Sequence, residues 1–555
     1  MNRRKFIQLS GVSMAGLVIN STSFENGTPK YLMAMPDEIW ANTGDERVAL
    51  VSADKITWRY KDIVVDITQA EKQLGVDVQS PSLPLNNIQL KWKYALPASS
   101  KCFGDAWERT YGDVGWQALG TTQKMPWYFM ANEGKNTQCF GVKTGANSFC
   151  CWQVTNNTIE LTLNTMSGGV GVQLGDRKLH VADIITSKSI GNETAFATGR
   201  RFCKLMCESP RLPQQPVYGI NDWYFAYGNN SSALILQHTA LLVDLATDTH
   251  NRPFSVVDAG WAKYSPLLPN DCCWQDDFSK PNDKFKDMAT LAADVKKMGM
   301  RPGLWTRPLC ASSTDPASLL LPSIEGRNDP QRPVLDPTIE ENLQRIKRNI
   351  SIYKEWGFQL VKHDFSTYDM LGKWGFQMKE TLTPAGWRFN DNTKTTAEIM
   401  LQLYRVIRQA AGDMYLIGCN TVGHLSAGLF DLNRIGDDTS GNEWDRTRKM
   451  GVNTLAFRGI QHNNFYEADA DCVGLTNKVP WAKNKQWMQL LAESGTPLLI
   501  SAQPDAVGAE QKAFIKKCFT AAAKKMPVAE PLDWMTTLTP SKWKLNGSIV
   551  QFDWT

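Results

Sequence analysis

The sequence predicts a multidomain chain with an N-terminal β-sandwich, a central (β/α)8 TIM barrel and a short C-terminal β appendage. Three patterns point there. Up to about residue 215, apolar and polar residues alternate in short runs divided by turn residues. From 216 to 525 strand-like and helix-like stretches take turns, giving eight strands over about 310 residues, the count and length of a barrel with insertions. The final stretch, 526–555, holds Trp534, Trp543 and the alternating run Ile549-Val550-Gln551-Phe552.

An address precedes the sandwich. Asn2-Arg3-Arg4-Lys5-Phe6-Ile7 leads into a mildly apolar stretch ending near Ile19, with small residues Ser21, Thr22 and Ser23 behind it. These are the parts of an export signal, and the paired arginines resemble the twin-arginine type. The expected signal is 1–23, and the expected destination is the bacterial periplasm or beyond. Losing Arg3, Arg4 and Lys5, and no acid, would take the net charge from +4 to +1.

Within 24–215, Thr158–Leu163 alternates strictly, and so does Val170–Leu174 after a Ser167-Gly168-Gly169 turn. Ile88–Trp92 and Trp127–Met130 also read as strands, and no long helical period is evident. Ser209-Pro210-Arg211-Leu212-Pro213-Gln214-Gln215-Pro216 then breaks the rhythm as a stiff linker. Beyond it the barrel strands are expected at Trp223–Tyr227, Phe254–Asp258, Pro302–Trp305, Phe358–Phe365, Met414–Gly418, Leu432–Ile435, Phe465–Ala468 and Pro497–Ile500. Between the third and fourth, Asp336 as N-cap, Pro337 at N1 and the stripe Ile339, Leu343, Ile346, Ile350 and Tyr353 predict a helix. A doubly wound open sheet would need a phosphate-cradling glycine fingerprint, which is absent.

Composition narrows the function. Tryptophan is abundant, with 20 Trp beside 22 Phe and 14 Tyr, and aromatic faces match the C–H faces of sugar rings. A net charge of +4 without a basic run argues against nucleic acid as a partner. No apolar run of about 18 residues is present to span a membrane. The 12 cysteines include the adjacent pairs Cys150-Cys151 and Cys272-Cys273, poorly spaced for a framework, so buried thiols with one or two bridges are expected. Without CxxC, and with six scattered His, neither a metal site nor another cofactor is expected.

The chemistry gathers at strand ends. In Phe358-Gln359-Leu360-Val361-Lys362-His363-Asp364-Phe365, Lys362 and Asp364 share one face and His363 takes the other. The remaining ends offer Trp223, Asp258, Trp305 with Arg307, Cys419 with Asn420, Arg434 with Asp437 and Asp438, and Asp469 with Asp471. In a barrel these converge on one mouth. Paired carboxylates among aromatics and donors suit glycoside hydrolysis, in which one carboxylate attacks the anomeric carbon and a second carboxyl protonates the leaving oxygen.

Six segments carry a family likeness: Val256–Trp261, Gly299–Trp305, Val361–Asp364, Leu416–Asn420, Arg434–Thr439 and Ala468–Asp471. With them, residues 217–505 resemble the clan of retaining glycosidases that includes the melibiase-type α-galactosidases, nearest to glycoside hydrolase family 36 and related to families 27 and 31. The resemblance implies a carbohydrate substrate, Asp364 as nucleophile and Asp438 as acid/base, with Asp437 as the alternative. It implies that Lys362 bonds a ring hydroxyl and keeps Asp364 ionised, that Arg434 and Asp258 bond the sugar, that Trp223 and Trp305 wall the pocket, and that Cys419 is a small pocket residue. Asp469 and Asp471 brace the rim. Where many α-galactosidases have paired aspartates, this chain has Asp258-Ala259. A lost carboxylate alters specificity steeply, so L-arabinopyranosides, N-acetylgalactosaminides, glucosides and transglycosylation stay open beside galactosides, as does a non-catalytic sugar-binding role. The sequence leaves the oligomeric state open.

Overall fold

A computed structural model describes residues 34–44, 46–120, 124–155, 157–379 and 381–555; the export signal expected at 1–23 lies outside the described residues. Two antiparallel sheets come first. One has six strands in the order Glu46–Ala49, Glu38–Thr43, Asn87–Lys93, Thr158–Asn164, Phe149–Val154 and Met125–Pro126. The other has eight, running from Thr57–Tyr60 at one edge to Gln117–Ala118 at the other. Alternation supplies the core between them: Ile88, Leu90 and Trp92 point inward from one strand, and Trp152 meets Phe129 of the opposite sheet at 5.6 Å between ring centroids.

Two expectations fail in this region. Val170–Leu174 makes only isolated bridges, and the long strand is Gly175–Lys188. The glycines explain it: Gly168 and Gly169 lie flat against Trp387, and Gly169 exchanges backbone hydrogen bonds with Trp387 and Gly386, so this segment docks on the barrel. A helix absent from the sequence reading spans Ala195–Met206, capped by Thr194. It rests Phe202 and Met206 on Gly141 of the eight-stranded sheet, and Gly199 with two arginines in its middle obscured its period.

The barrel has eight parallel strands: Tyr218–Asn221, Phe254–Val257, Arg301–Thr306, Leu360–His363, Tyr415–Gly418, Leu432–Arg434, a bent seventh, and Leu498–Ala502. The seventh closes the ring. Its first half, Glu467–Asp469, pairs with strand six, and its second half, Cys472–Leu475, pairs with strand eight. The bend falls at Asp471, whose φ of 74° is left-handed. Helices Ser232–Val243, Met288–Lys297, Glu340–Glu355, Thr396–Ala411, Trp481–Ser494 and Ala509–Ala522 pack outside, with shorter helical turns after strands five and six.

Strand one ends earlier than expected. Trp223–Ala226 is one helical turn, because Asn221 Oδ1 and Ser501 Oγ accept the Trp223 and Tyr224 N–H groups and turn the chain. Asp336 is not an N-cap: the helix starts at Glu340, and the Asp336 carboxylate accepts from Thr338 N and Asn390 N, both at 2.8 Å, pinning two loops together. All 12 cysteines are free thiols, so the expected bridges are not formed. The C-terminal strands Glu530–Pro531, Lys542–Leu545 and Ser548–Gln551 form a small sheet. Its neighbour Trp534 packs on Phe103 of the sandwich and Phe457 of the barrel, tying the three parts together.

Candidate active site

Strand four sets the site by alternation. Leu360, Lys362 and Asp364 turn into the barrel; Val361 and His363 turn out. His363 is fully buried against Tyr404 and Phe430, and burial pulls its pKa down to about 3, leaving a neutral ring remote from the chemistry. Asp364 accepts from Phe365 N at 2.8 Å, Asn420 N at 3.1 Å and Trp305 Nε1 at 3.1 Å. Phe365 takes a φ of 64° to aim its own N–H at that carboxylate, a conformation that costs a non-glycine residue about 1–3 kcal/mol.

Lys362 makes its ion pair with Asp258, bonding Oδ2 at 2.7 Å, while its charge also acts on Asp364, whose hydrogen bonds come from N–H donors. Burial works against the Lys362 charge, but Asp258 foremost outweighs it, so the ammonium stays well above the usual lysine range. Asp258 also receives Asn221 Nδ2 at 2.7 Å and its neighbour's N–H at 2.8 Å. Behind it Asp222 accepts the Asp258 N–H at 2.7 Å; burial, then the Asp258 charge, push Asp222 up to about 7.

Strand six separates two adjacent acids. Asp437 is clamped between Arg109 Nη2 and Arg446 Nη2, each at 2.8 Å. Asp438 sits 3.2 Å from Arg434 and 3.8 Å from Arg109, with 39% of its side chain open. Burial acts to raise its carboxyl, yet Arg434 and Arg109, with Lys362 and Arg446 behind them, hold it below the usual range. Arg434 is itself buried and paired with Asp471 at 2.8 Å, while Asp471 also takes the Thr439 and Tyr224 hydroxyls. Cys419 lies beneath, its sulfur 3.6 Å from Arg434. Arg307 turns away to Asp369 at 2.6 Å.

The sandwich delivers a residue the sequence reading missed. The segment 105–111 leaves the eight-stranded sheet and adds to the end of strand six: Thr110 N donates to Ile435 O, and Asp437 N donates to Thr110 O. Asp105 locks it with a buried pair to Arg458 at 2.8 Å. Glu108, buried, accepts from Asn420 Nδ2, Tyr111 OH and Gly375 N. That leaves Arg109 over the Trp374 ring at 5.3 Å, facing Asp438. Nothing local in Trp107-Glu108-Arg109 announces this role, because Cys419, Asp437 and Asp438 are more than 300 residues away in sequence.

These groups enclose a cavity of about 70 Å³ whose walls include Arg109, Trp223, Asp258, Ala259, Trp305, Lys362, Asp364, Trp374 and Asp438. Asp437, Arg434 and Cys419 stand behind that wall. Among the described residues no cluster of three or more His, Cys, Asp or Glu is placed to hold a metal ion, and no helix is long and apolar enough to cross a membrane.

No family model and no curated protein sequence matches the chain. Solved structures do. The α-galactosidase of Thermus thermophilus bound to p-nitrophenyl α-D-galactopyranoside superposes with a TM-score of 0.59 at 16% identity, covering 93% of this chain and 98% of the other. A family 36 α-galactosidase of Geobacillus stearothermophilus, bound to 1-deoxygalactonojirimycin, gives 0.59 at 11%, with coverages of 90% and 73%. The fold is that of the family 36 α-galactosidases. A family 31 sulfoquinovosidase from E. rectale, at TM-score 0.56 and 12% identity over 93% of this chain and 87% of that one, shares it too.

Proposed function

We propose that this chain is a retaining exo-glycoside hydrolase acting on α-galactoside-like substrates. Asp364 attacks the anomeric carbon to form a covalent glycosyl-enzyme; Asp438 first protonates the leaving oxygen and then deprotonates the incoming water. The observation that carries this reading is the placement of Asp364 and Asp438 on one small cavity, with Asp437 withdrawn between two guanidiniums. Lys362 and Asp258 present a fixed donor and acceptor to ring hydroxyls, and Trp223 and Trp305 supply the aromatic wall. In this reading 216–525 is the catalytic unit, 24–215 buttresses it through Arg109, 526–555 is an appendage, and the signal at 1–23 sends the protein out of the cytoplasm.

Ala259 favours a second reading of the specificity. It lines the cavity without the second carboxylate of the paired-aspartate pattern, which lowers the preference for galactose over L-arabinopyranose and related sugars. A panel of aryl α- and β-glycosides, with the anomer of the first-formed product followed by NMR, tests both readings. Hydrolysis with retention, lost in Asp364→Ala, is expected. Full activity in Asp364→Ala would overturn its role as nucleophile, and binding of a sugar without turnover of any glycoside would overturn the enzyme assignment.

A further inference from the structure

Of the 12 cysteines, ten are buried, and Cys272 and Cys273 are the two left partly open. They sit at the base of the hairpin joining Ala262–Tyr264 to Gln275–Pro281, next to the proposed sugar pocket. Their sulfurs are 3.7 Å apart. The backbone around them is tethered: Asp271 Oδ1 accepts the Cys273 and Trp274 N–H groups at 3.0 Å, Arg332 holds the other Asp271 oxygen, and Arg307 donates to Cys273 O at 3.1 Å. Gly228, with φ +80°, makes the seat for Cys272; a Cβ there would lie 2.4 Å from the sulfur. Cys273 forms part of the cavity wall beside Ala259.

Covalent geometry says what kind of bond this pair can make. Adjacent Cα atoms are about 3.8 Å apart, closer than the roughly 4.4–6.8 Å of ordinary disulfides, so the ring is strained and easily reduced. Strained, accessible disulfides are the labile ones, whereas structural staples resist reduction.

We propose that Cys272 and Cys273 form a reversible vicinal disulfide in the wall of the sugar pocket, and that its state sets how tightly the pocket holds its sugar. The second clause rests on the glycosidase reading; the first does not. The oxidant is a low-molecular-weight disulfide such as oxidised glutathione. Cys272 thiolate attacks one of its sulfurs and releases one thiolate; Cys273 thiolate then displaces the second from the mixed disulfide. Two cysteine thiols are oxidised, one small disulfide is reduced to two thiols, and the two cysteine protons end on them. Cys272 is the attacking group: the contact between the two sulfurs, in which either can donate, lowers its thiol and raises that of Cys273. Closing the bond brings the sulfurs from 3.7 Å to about 2.05 Å and reshapes the wall beside Ala259.

The test treats the native full chain with oxidised or reduced glutathione, alkylates free thiols, and examines the peptides by mass spectrometry. The expected result is a peptide holding both residues that has lost two hydrogens, escapes alkylation and reverts with dithiothreitol. Alkylation of both thiols after oxidation, or a persistent glutathione adduct, overturns the disulfide. On the panel's hydrolysed glycoside, oxidation should change KM by about threefold or more, and Cys272→Ser should abolish that response. A disulfide that forms while KM stays fixed overturns the second clause. If no glycoside is turned over, the function assignment fails while the peptide result still decides the disulfide.

Discussion

In the lower half of the barrel the inward side chains are Phe254, Val256, Leu360, Tyr415, Ile417 and Leu432, while one step up the same strands they are Asp258, Lys362, Asp364, Cys419 and Arg434. Strand twist and pleat are shared by both layers; only the composition changes. The lower layer excludes water by packing, so it contributes to stability and offers no chemistry. The upper layer buries three cations, each held charged by an acid beside it: Lys362 by Asp258, Arg434 by Asp471, Arg109 by Asp437. Holding so many charges in a protein interior is a weak route to stability. Its reward is a rigid set of donors and acceptors around two carboxylates.

Substitutions in each layer can sharpen or break this contrast. The largest effect should come from Asp364→Asn, with kcat on a glycoside falling by about 10⁴-fold or more while the melting temperature barely moves. Equal losses of activity and stability would mean the ring is structural. Next, Asp438→Asn should slow substrates with poor leaving groups by about 10²–10⁴-fold, and Asp437→Asn by only about tenfold, since the latter disturbs the two guanidiniums that clamp it, Arg109 and Arg446. The reverse ranking would exchange their roles. In the lower layer, Leu360→Ala should lower stability by about 2–5 kcal/mol, with kcat/KM within about tenfold of wild type.

Smaller effects test the electrostatics. A general acid works only while protonated, so if Asp438 is that acid, its depressed carboxyl should confine activity to acidic pH. Arg109→Gln removes one of the charges depressing it, and the alkaline limb of kcat/KM should move up by about one pH unit. No shift would show that Arg109 merely ties the sandwich down. At the level of the lower layer, opposite Leu432, stands Glu467, whose carboxyl burial raises to about 8 from 4.5. Because the folded state then binds a proton that the unfolded state has released, this group's contribution to stability is complete below about pH 4.5 and is lost as pH rises through 8. Glu467→Gln should flatten the decline in melting temperature across that window; an unchanged slope would place its cause elsewhere.

The contrast also marks how far local pattern reaches. Leu360, Lys362 and Asp364 share a face because of a two-residue period, and the neutral, outward His363 follows from the same rule. Where the pattern misled, a distant partner had intervened. Trp223 reads as strand until Ser501 and Asn221 capture its turn, and Asp336 reads as a cap until Asn390 claims its oxygen. Asp437 and Asp438 are indistinguishable in sequence, since both follow a strand end and both are charged. Arg109 and Arg446, from two other parts of the chain, tell them apart.

By itself, then, the sequence determined most of the repeating strands and helices, and with them the face on which Lys362 and Asp364 would emerge. Those depend on periods of two and 3.6 residues that neighbouring amino acids impose on one another. Only the tertiary structure decided which acid is left open to a substrate, that Lys362 serves Asp258, and that a sandwich loop supplies Arg109. Such choices are made by charges meeting through space, and the distance along the chain between Arg109 and Asp438 carries no trace of the 3.8 Å that separates them once folded.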